Sequence, residues 1–302
     1  MRTGIDSLTI NTYIYSMSKI LQISDIHING EYDGLFDVKK HFKQILDDAV
    51  LTDFDAIALT GDIVDNGTVE EYTEVFRQIE QTFGEEIPIL AIPGNHDNRQ
   101  NFDFAYIDYI SRLHNFKRGV SLRRIGGTFE EPGKCVVILT LDENSHFIGN
   151  HKLIGMDNAH KDLPHEGLEA LMMDDDWFNR DKYSYYLFVH MPLIKPFHRF
   201  MNVDEHSIRE DAAKTFLLAM TPYNFRGIFC GHYHCASMDS YADLVQYTAP
   251  ASQCQLDRFS KDCTPSGNYP GYAIINLDAR EANMVKVKYI TDDTKPEDEN
   301  GK

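Results

Sequence analysis

Ile20-Leu21-Gln22-Ile23-Ser24-Asp25-Ile26-His27 is a mainly apolar run that ends in a carboxylate and an imidazole. The same construction returns down the chain. Ala56-Ile57-Ala58-Leu59-Thr60 is followed by Gly61-Asp62, and residues 87–92 by Gly94-Asn95-His96-Asp97. Residues 185–189 lead to His190, and residues 227–230 to Gly231-His232-Tyr233-His234. Each short run reads as a strand. An open α/β sheet presents its chemistry in the crevice outside the carboxyl ends of its strands. Carboxylate, imidazole and one amide oxygen suit two divalent metals held close together.

Between the runs the apolar period changes. Phe36, Phe42, Ile45, Leu46, Ala49 and Val50 recur at helical spacing, as do Val69, Tyr72, Val75, Phe76, Ile79 and Phe83. Thr68 and Glu71 form a capping box for the second helix. A third helix is expected after Ser207, with Glu210 completing a similar box. Residues 136–141 read as a further strand, and residues 273–277 and 285–290 as a hairpin. Strands alternating with helices imply an α/β architecture. Residues 146–164 show little periodicity and read as a long loop. No internal repeat or Pro/Gly-rich linker divides the chain, so residues 19–290 are expected to form one domain. Met17 leads almost directly into the first strand. Residues 1–18 therefore read as a dispensable extension, against a rival reading of an added edge strand around residues 9–15. Residues 291–302 are polar and acidic and read as a disordered tail.

The formal net charge is −18. Nucleic-acid binding needs a basic patch, so a polyanionic partner is not expected. A small phosphate ester remains possible, because two divalent cations reverse the local sign. No stretch approaches the ~20 apolar residues of a membrane span. The N-terminus lacks the pattern of a signal peptide. The five cysteines (Cys135, Cys230, Cys235, Cys254, Cys263) are an odd number without framework spacing. They read as free thiols in a reducing cytoplasm.

The ordered series D-x-H, G-D, G-N-H-D, H and G-H-x-H, from Asp25 to His234, resembles the calcineurin-like metallophosphoesterase superfamily. Within it, the chain is most similar to the class III cyclic nucleotide phosphodiesterases. The resemblance implies a four-layer α/β/β/α sandwich of two facing mixed sheets flanked by helices. It implies two divalent or mixed-valence ions (Fe, Mn or Zn). Asp25, His27 and His234 would complete one site, Asn95, His190 and His232 the other, with Asp62 bridging. In an extended segment, residues two apart point to the same side, so Asp25 and His27 are expected to reach one metal. His96 is expected to face the scissile phosphate as acid or electrostatic stabiliser, beside Asn95. Asp97 is expected to fix the His96 ring. His198 and His206 follow the His190 strand and are candidates for the substrate entrance, with Arg209 beside them a weaker one.

Other polar residues read as structural. His41, His114, His146, His151, His160 and His165 are expected in core or surface roles. Asp174-Asp175-Asp176 reads as a solvated helix face, since consecutive helical carboxylates point apart. Met172, Met173 and Trp177 read as core.

Departures from sister families narrow the choice. Asp65 stands where purple acid phosphatases carry a tyrosine, and His27 is a residue they lack. Asn66 stands where protein Ser/Thr phosphatases carry a phosphate-gripping arginine, and Asp97 replaces their glutamate. The superfamily's DNA-processing nucleases generally add a DNA-binding domain, which chain length and acidity argue against. The resemblance therefore implies hydrolysis of 3′,5′-cyclic AMP to 5′-AMP by in-line attack of a hydroxide bridging the metals; similar enzymes often form homodimers. Glycerophosphodiesters or other small diesters are the runner-up substrates. A metal-free interaction scaffold is the reading from a different class, though every motif position is filled here.

Overall fold

The computed structural model describes residues 18–30, 37–113, 120–125, 136–141, 150–159, 161, 163, 182–203, 206–280 and 283–291. Strands β1 (Lys19–Ile23), β2 (Ala56–Thr60) and β3 (Ile89–Ile92) are buried almost throughout. Helices cover one side of their sheet and a second sheet covers the other. Helices α1 (Val38–Ala49), α2 (Val69–Phe83) and α3 (Arg99–Arg112) send Phe42, Ile45, Tyr72, Val75, Phe76, Phe102 and Tyr106 into the core that holds Leu21, Leu59 and Leu90.

The second sheet explains its own sequence. In β5 (Val136–Leu141), Val137, Leu139 and Leu141 join that first core. Val136 and Ile138 point the other way, into a second core with Ala213, Phe216, Leu217 and Met220 of α4 (Glu210–Met220). A strand covered on both faces is a continuous apolar run without alternation. The order through the molecule is helices, sheet, sheet, helix: the expected four-layer sandwich.

The described strands form a five-stranded sheet in the order β14-β13-β1-β2-β3 and a seven-stranded sheet in the order β4-β5-β6-β7-β8-β10-β9. Here β4 is Val120–Ile125, β6 His151–Met156, β7 Ser184–Phe188, β8 Phe225–Cys230, β9 Ser237–Tyr241 and β10 Leu244–Thr248. The hairpin expected near the C-terminus is β13 (Gly271–Asn276) and β14 (Val285–Tyr289), paired antiparallel. β1 runs parallel to β2, β2 to β3, and β7 to β8. Parallel pairing puts the carboxyl ends of neighbouring strands together, and the motif residues with them. A ribbon of β11 (Gln255–Leu256) and β12 (Pro265–Gly267) completes the described strands.

Two expectations need correction, and one helix was not expected. Residues 146–164 are not a structureless loop, because β6 lies within them, buried along its whole length between β5 and β7. Burial on both faces removed the alternation that would have marked it. Helix α3 was not among the expected helices; its buried face mixes Arg99 and Asp103 with Phe102, Ala105, Tyr106 and Tyr109. Helix α4 begins at Glu210 with Arg209 as N-cap and no side-chain cap, and Ser207 Oγ instead donates to Val203 O (2.9 Å). The capping box of α2 is present as expected, with Thr68 Oγ1 accepting from Glu71 N and Glu71 accepting from Thr68 N.

The readings of residues 1–17 and 292–302, Cys135, His114, His146, His160, His165, Met172, Met173, Asp174-Asp175-Asp176 and Trp177 lie outside the described residues. Among the described residues, no helix is long and apolar enough to cross a membrane.

Candidate metal centre

The motif turns are laced together just past the strand ends. Asp25 N donates to Gly61 O (3.0 Å) and His27 N to Asp62 O (2.9 Å). His96 N donates to Asp62 Oδ1 (2.8 Å), and His232 N to Asp25 Oδ1 (2.9 Å). The packing is tight enough to demand glycine. A Cβ on Gly94 would lie 2.1 Å from Asp62 Oδ1, and one on Gly231 would lie 1.8 Å from Ser24 Oγ and 2.6 Å from Asp25 Oδ2.

Asp25 and His27 converge, but the expected extended geometry is wrong. Asp25 (φ 54°), His27 (φ 51°), Asp62 (φ 50°), His232 (φ 70°) and His234 (φ 48°) all adopt left-handed backbone. Each turn aims its side chain where a pleated strand would not. Such residues cost on the order of 1–3 kcal/mol apiece and cluster at functional sites.

The side chains meet in three overlapping groups: Asp25, His27 and His234; His27, Asp62 and His96; and Asp62, His190 and His232. Within each group the ligand atoms lie within 4.8 Å of one another. His27 Nε2 is 3.3 Å from His234 Nε2 and 3.6 Å from Asp62 Oδ2. His190 Nε2 is 3.2 Å from Asp62 Oδ2 and 3.0 Å from Asn95 Oδ1, so the amide joins the last group. His234 Nε2 is 3.6 Å from Asp25 Oδ1. Asp62 thus touches both clusters.

Hydrogen bonds on the far side of three rings set which nitrogen faces the cluster. His190 Nδ1 donates to Thr60 O (2.8 Å), His232 Nε2 to His206 O (2.7 Å) and His27 Nδ1 to Asp65 Oδ1 (2.7 Å). This turns His190 Nε2, His232 Nδ1 and His27 Nε2 toward the cluster, where each could offer its lone pair to a cation. Buried lone pairs and carboxylate oxygens facing one another at these distances call for a cation.

The electrostatics agree. Burial works against the charged Asp62 carboxylate, but His190 and then His27 outweigh it and hold Asp62 well below the usual carboxylate range. Burial likewise opposes charge on His190, yet Asp62 lifts it to about 9. Burial, and then the charge of His190, pushes His232 down to about 3; burial, and then His27, does the same to His234. His27 is likewise raised, burial opposing and the Asp65 hydrogen bond and Asp62 outweighing it. The donor set fits two divalent cations.

His96 stands exposed at the mouth of this cluster. Its Nδ1 lies 3.0 Å from Asp65 Oδ1, and that hydrogen bond, opposed by burial and helped by Asp62, raises it to about 9. Asp97 does not hold the His96 ring. Its carboxylate accepts from Ile63 N (3.0 Å), Val64 N (2.9 Å), Gly94 N (2.7 Å) and Tyr72 Oη (3.0 Å), pinning the Asp62 and Asn95 turns. Burial and Asp62 raise it to about 6 against those N–H groups.

The remaining candidates separate. His206 lines the cleft with its ring and orients His232 with its carbonyl. His198 does not line the cleft: it is 1% exposed, accepts from Met201 N (3.3 Å) and packs edge-on against Tyr233. Arg209 is solvent-exposed and paired with Asp211, as a helix-surface arginine would be. Sequence reasoning missed two residues. Asp65 served only to exclude a sister family, although its place three residues after Asp62 was a usable signal. Asn158, just past β6, holds His190 N (3.0 Å) and Met191 N (2.9 Å) with its Oδ1.

The family model for calcineurin-like phosphoesterase matches residues 18–236, most of the chain, and the chain belongs to that family. The family uses divalent metals. A Fibrobacter succinogenes protein named a probable cyclic nucleotide phosphodiesterase is 28% identical, over 79% of this chain and 81% of its own length. An Arcobacter nitrofigilis protein named a probable glycerophosphodiester phosphodiesterase GpdQ is 26% identical, over 79% of this chain and 80% of its own. A dimetal phosphatase from Danio rerio superposes with a TM-score of 0.50 at 11% identity, covering 90% of this chain and 96% of its own, which shows likeness of fold alone.

Proposed function

We propose that this protein hydrolyses 3′,5′-cyclic AMP to 5′-AMP on two divalent metal ions. The chain is a metal-dependent phosphoric diester hydrolase. Asp25, His27 and His234 would hold one ion, Asn95, His190 and His232 the other, with Asp62 between them. The observation that carries this reading is the convergence of all seven side chains on one centre at the floor of the cleft, with His96 at its mouth. When bound, two divalent ions supply Lewis acidity toward the phosphoryl oxygens and an activated water.

The residues do the rest. Asp65 accepts a hydrogen bond from His96 Nδ1 and leaves the Nε2–H to face the cleft. In the metal-free protein Asp65 raises His96 to about 9, and its ring N–H could serve as donor to the 3′ oxygen as that oxygen leaves. No Lys or Arg stands among the described residues lining the cleft. A diester with one negative charge suits such a site better than a monoester with two.

The cyclic nucleotide is favoured by the name of the Fibrobacter relative, which matches most of the chain. A glycerophosphodiester is the second reading, on the name of the Arcobacter relative. A hydrolysis screen with added Mn²⁺ over cyclic AMP, glycerophosphodiesters and monoesters separates them. Cyclic AMP should give the highest kcat/KM, with two metals per chain by elemental analysis. Turnover of monoesters alone, or a chain that binds no metal, would overturn the reading.

A further inference from the structure

The metal-ligating side chains make up only part of the cleft lining. The rest includes Phe200, Met201, Cys254, Leu256, Cys263 and Pro265, around a cavity of about 410 Å³. That volume lies within the range of small-molecule sites, ~300–1,000 Å³. Phe200 and Met201 come from the loop after β7, and Leu256 and Pro265 from the β11–β12 ribbon. The two segments are tied together, with Arg199 N donating to Arg258 O (2.9 Å). The Phe200 ring is steadied by the His206 ring, 4.8 Å away and tilted by 33°. This wall is therefore apolar and held in place.

Beside it lies one polar group with nothing to do. Gln253 lines the same cleft and is 2% exposed, and its Nε2 has no hydrogen-bond partner among the described residues. A buried donor without an acceptor is costly, and a ligand acceptor would relieve it.

These features suit a particular chemistry. A glycerol chain would leave its hydroxyls against apolar side chains without partners. A nucleobase has a flat face to stack on an aromatic ring and acceptors along its edge. We propose that this wall is a nucleobase subsite, with Phe200 as its stacking surface and Gln253 Nε2 as a donor to the base edge. It rests on the reading of the neighbouring centre as the place where the phosphodiester binds. It makes the site select nucleoside phosphodiesters over glycerol diesters.

The test is calorimetric titration of the Mn²⁺-loaded protein with adenosine 5′-monophosphate and with ribose 5-phosphate. The two share the phosphate and sugar and differ in the base. The adenosine compound should bind about tenfold or more tightly, the usual scale of a base–aromatic stack. Phe200→Ala should bring the two affinities together, and Phe200→Tyr should keep them apart. Gln253→Ala should narrow the gap in part. Equal affinities in the unaltered protein would overturn the subsite even if no variant folds, as would a gap that survives Phe200→Ala. Failure of the subsite and failure of the substrate reading are distinguishable. A protein that hydrolyses cyclic AMP but binds both ligands equally keeps its activity and loses this site. One that binds the base but leaves cyclic AMP intact keeps the site and loses that substrate.

Discussion

Asp65 holds two histidines with a single oxygen, Oδ1 lying 2.7 Å from His27 Nδ1 and 3.0 Å from His96 Nδ1. One residue thus orients a candidate metal ligand and the candidate acid. Asp65→Asn should lower metal affinity or turnover by about 10–100-fold, the usual cost of losing such a partner. Metal content and kcat measured together would show both effects, and an unchanged enzyme would discount the contact. His96→Ala should leave both metals bound and slow hydrolysis by ~10²–10⁴-fold. The loss should shrink for a nitrophenyl diester, whose leaving oxygen needs no proton. Equal losses on good and poor leaving groups would rule out the acid role. The ligand types were legible in the sequence because each follows a strand. The partner of His96 was not, since Asp97 is its chain neighbour and Asp65 its neighbour only in space.

Helix α3 shows how an element can be decided by what it packs against. Tyr106 Oη accepts from Ala91 N (3.0 Å) and donates to Ile89 O (2.8 Å). Tyr109 Oη accepts from Ile89 N (2.9 Å) and donates to Ile87 O (3.1 Å). The two hydroxyls take the place of a further strand along the open edge of β3, which would otherwise invite pairing with another chain. Tyr106→Phe should cost about 1–3 kcal/mol, the penalty for a buried N–H left without its acceptor. A urea titration checks this, and a loss near zero would mean water replaces the hydroxyl. At the other edge of the same core, Asp278 Oδ2 accepts from Ser18 N (2.7 Å) and Oδ1 lies 3.2 Å from His151 Nε2. Burial tends to raise the Asp278 carboxyl, but His151 and Ser18 outweigh it and hold it below its ordinary 3.8. A lowered carboxyl stabilises the fold above its unfolded value, and the contribution disappears as pH falls through the folded value. Asp278→Asn should therefore cost about 0.5–1 kcal/mol at pH 7, discounted for partial exposure. The gap in urea midpoint should close as the pH falls from 4 to 2. A gap independent of pH would assign the loss to packing.

At the scale of the whole molecule, the two sheets and their turns place three carboxyls, Asp25, Asp62 and Asp97, deep in the protein within one another's influence. Cations that bind only the folded state should stabilise it by mass action, ~2.7 kcal/mol at a hundredfold excess over Kd. Chelation should lower the melting temperature by about 5–10 °C, and Mn²⁺ should restore it. A melting curve indifferent to chelator would remove the metals from the folded state. The amino-acid sequence by itself determined the α/β class, the capping of α2 and the type and order of the candidate metal ligands. These depend on local period and on motifs that follow their strands directly. Only the tertiary structure decided that residues 151–156 form a buried strand, because coverage on both faces erases the alternation that marks strands in sequence. It alone assigned Asp65 to His96, gave Asp97 to the backbone of two turns, turned His198 inward and set Phe200 beside the candidate metal ligands. The physical reason is common to all four. A side chain's hydrogen-bond partner and exposure depend on segments far away in the chain, and no local pattern encodes which of them will arrive.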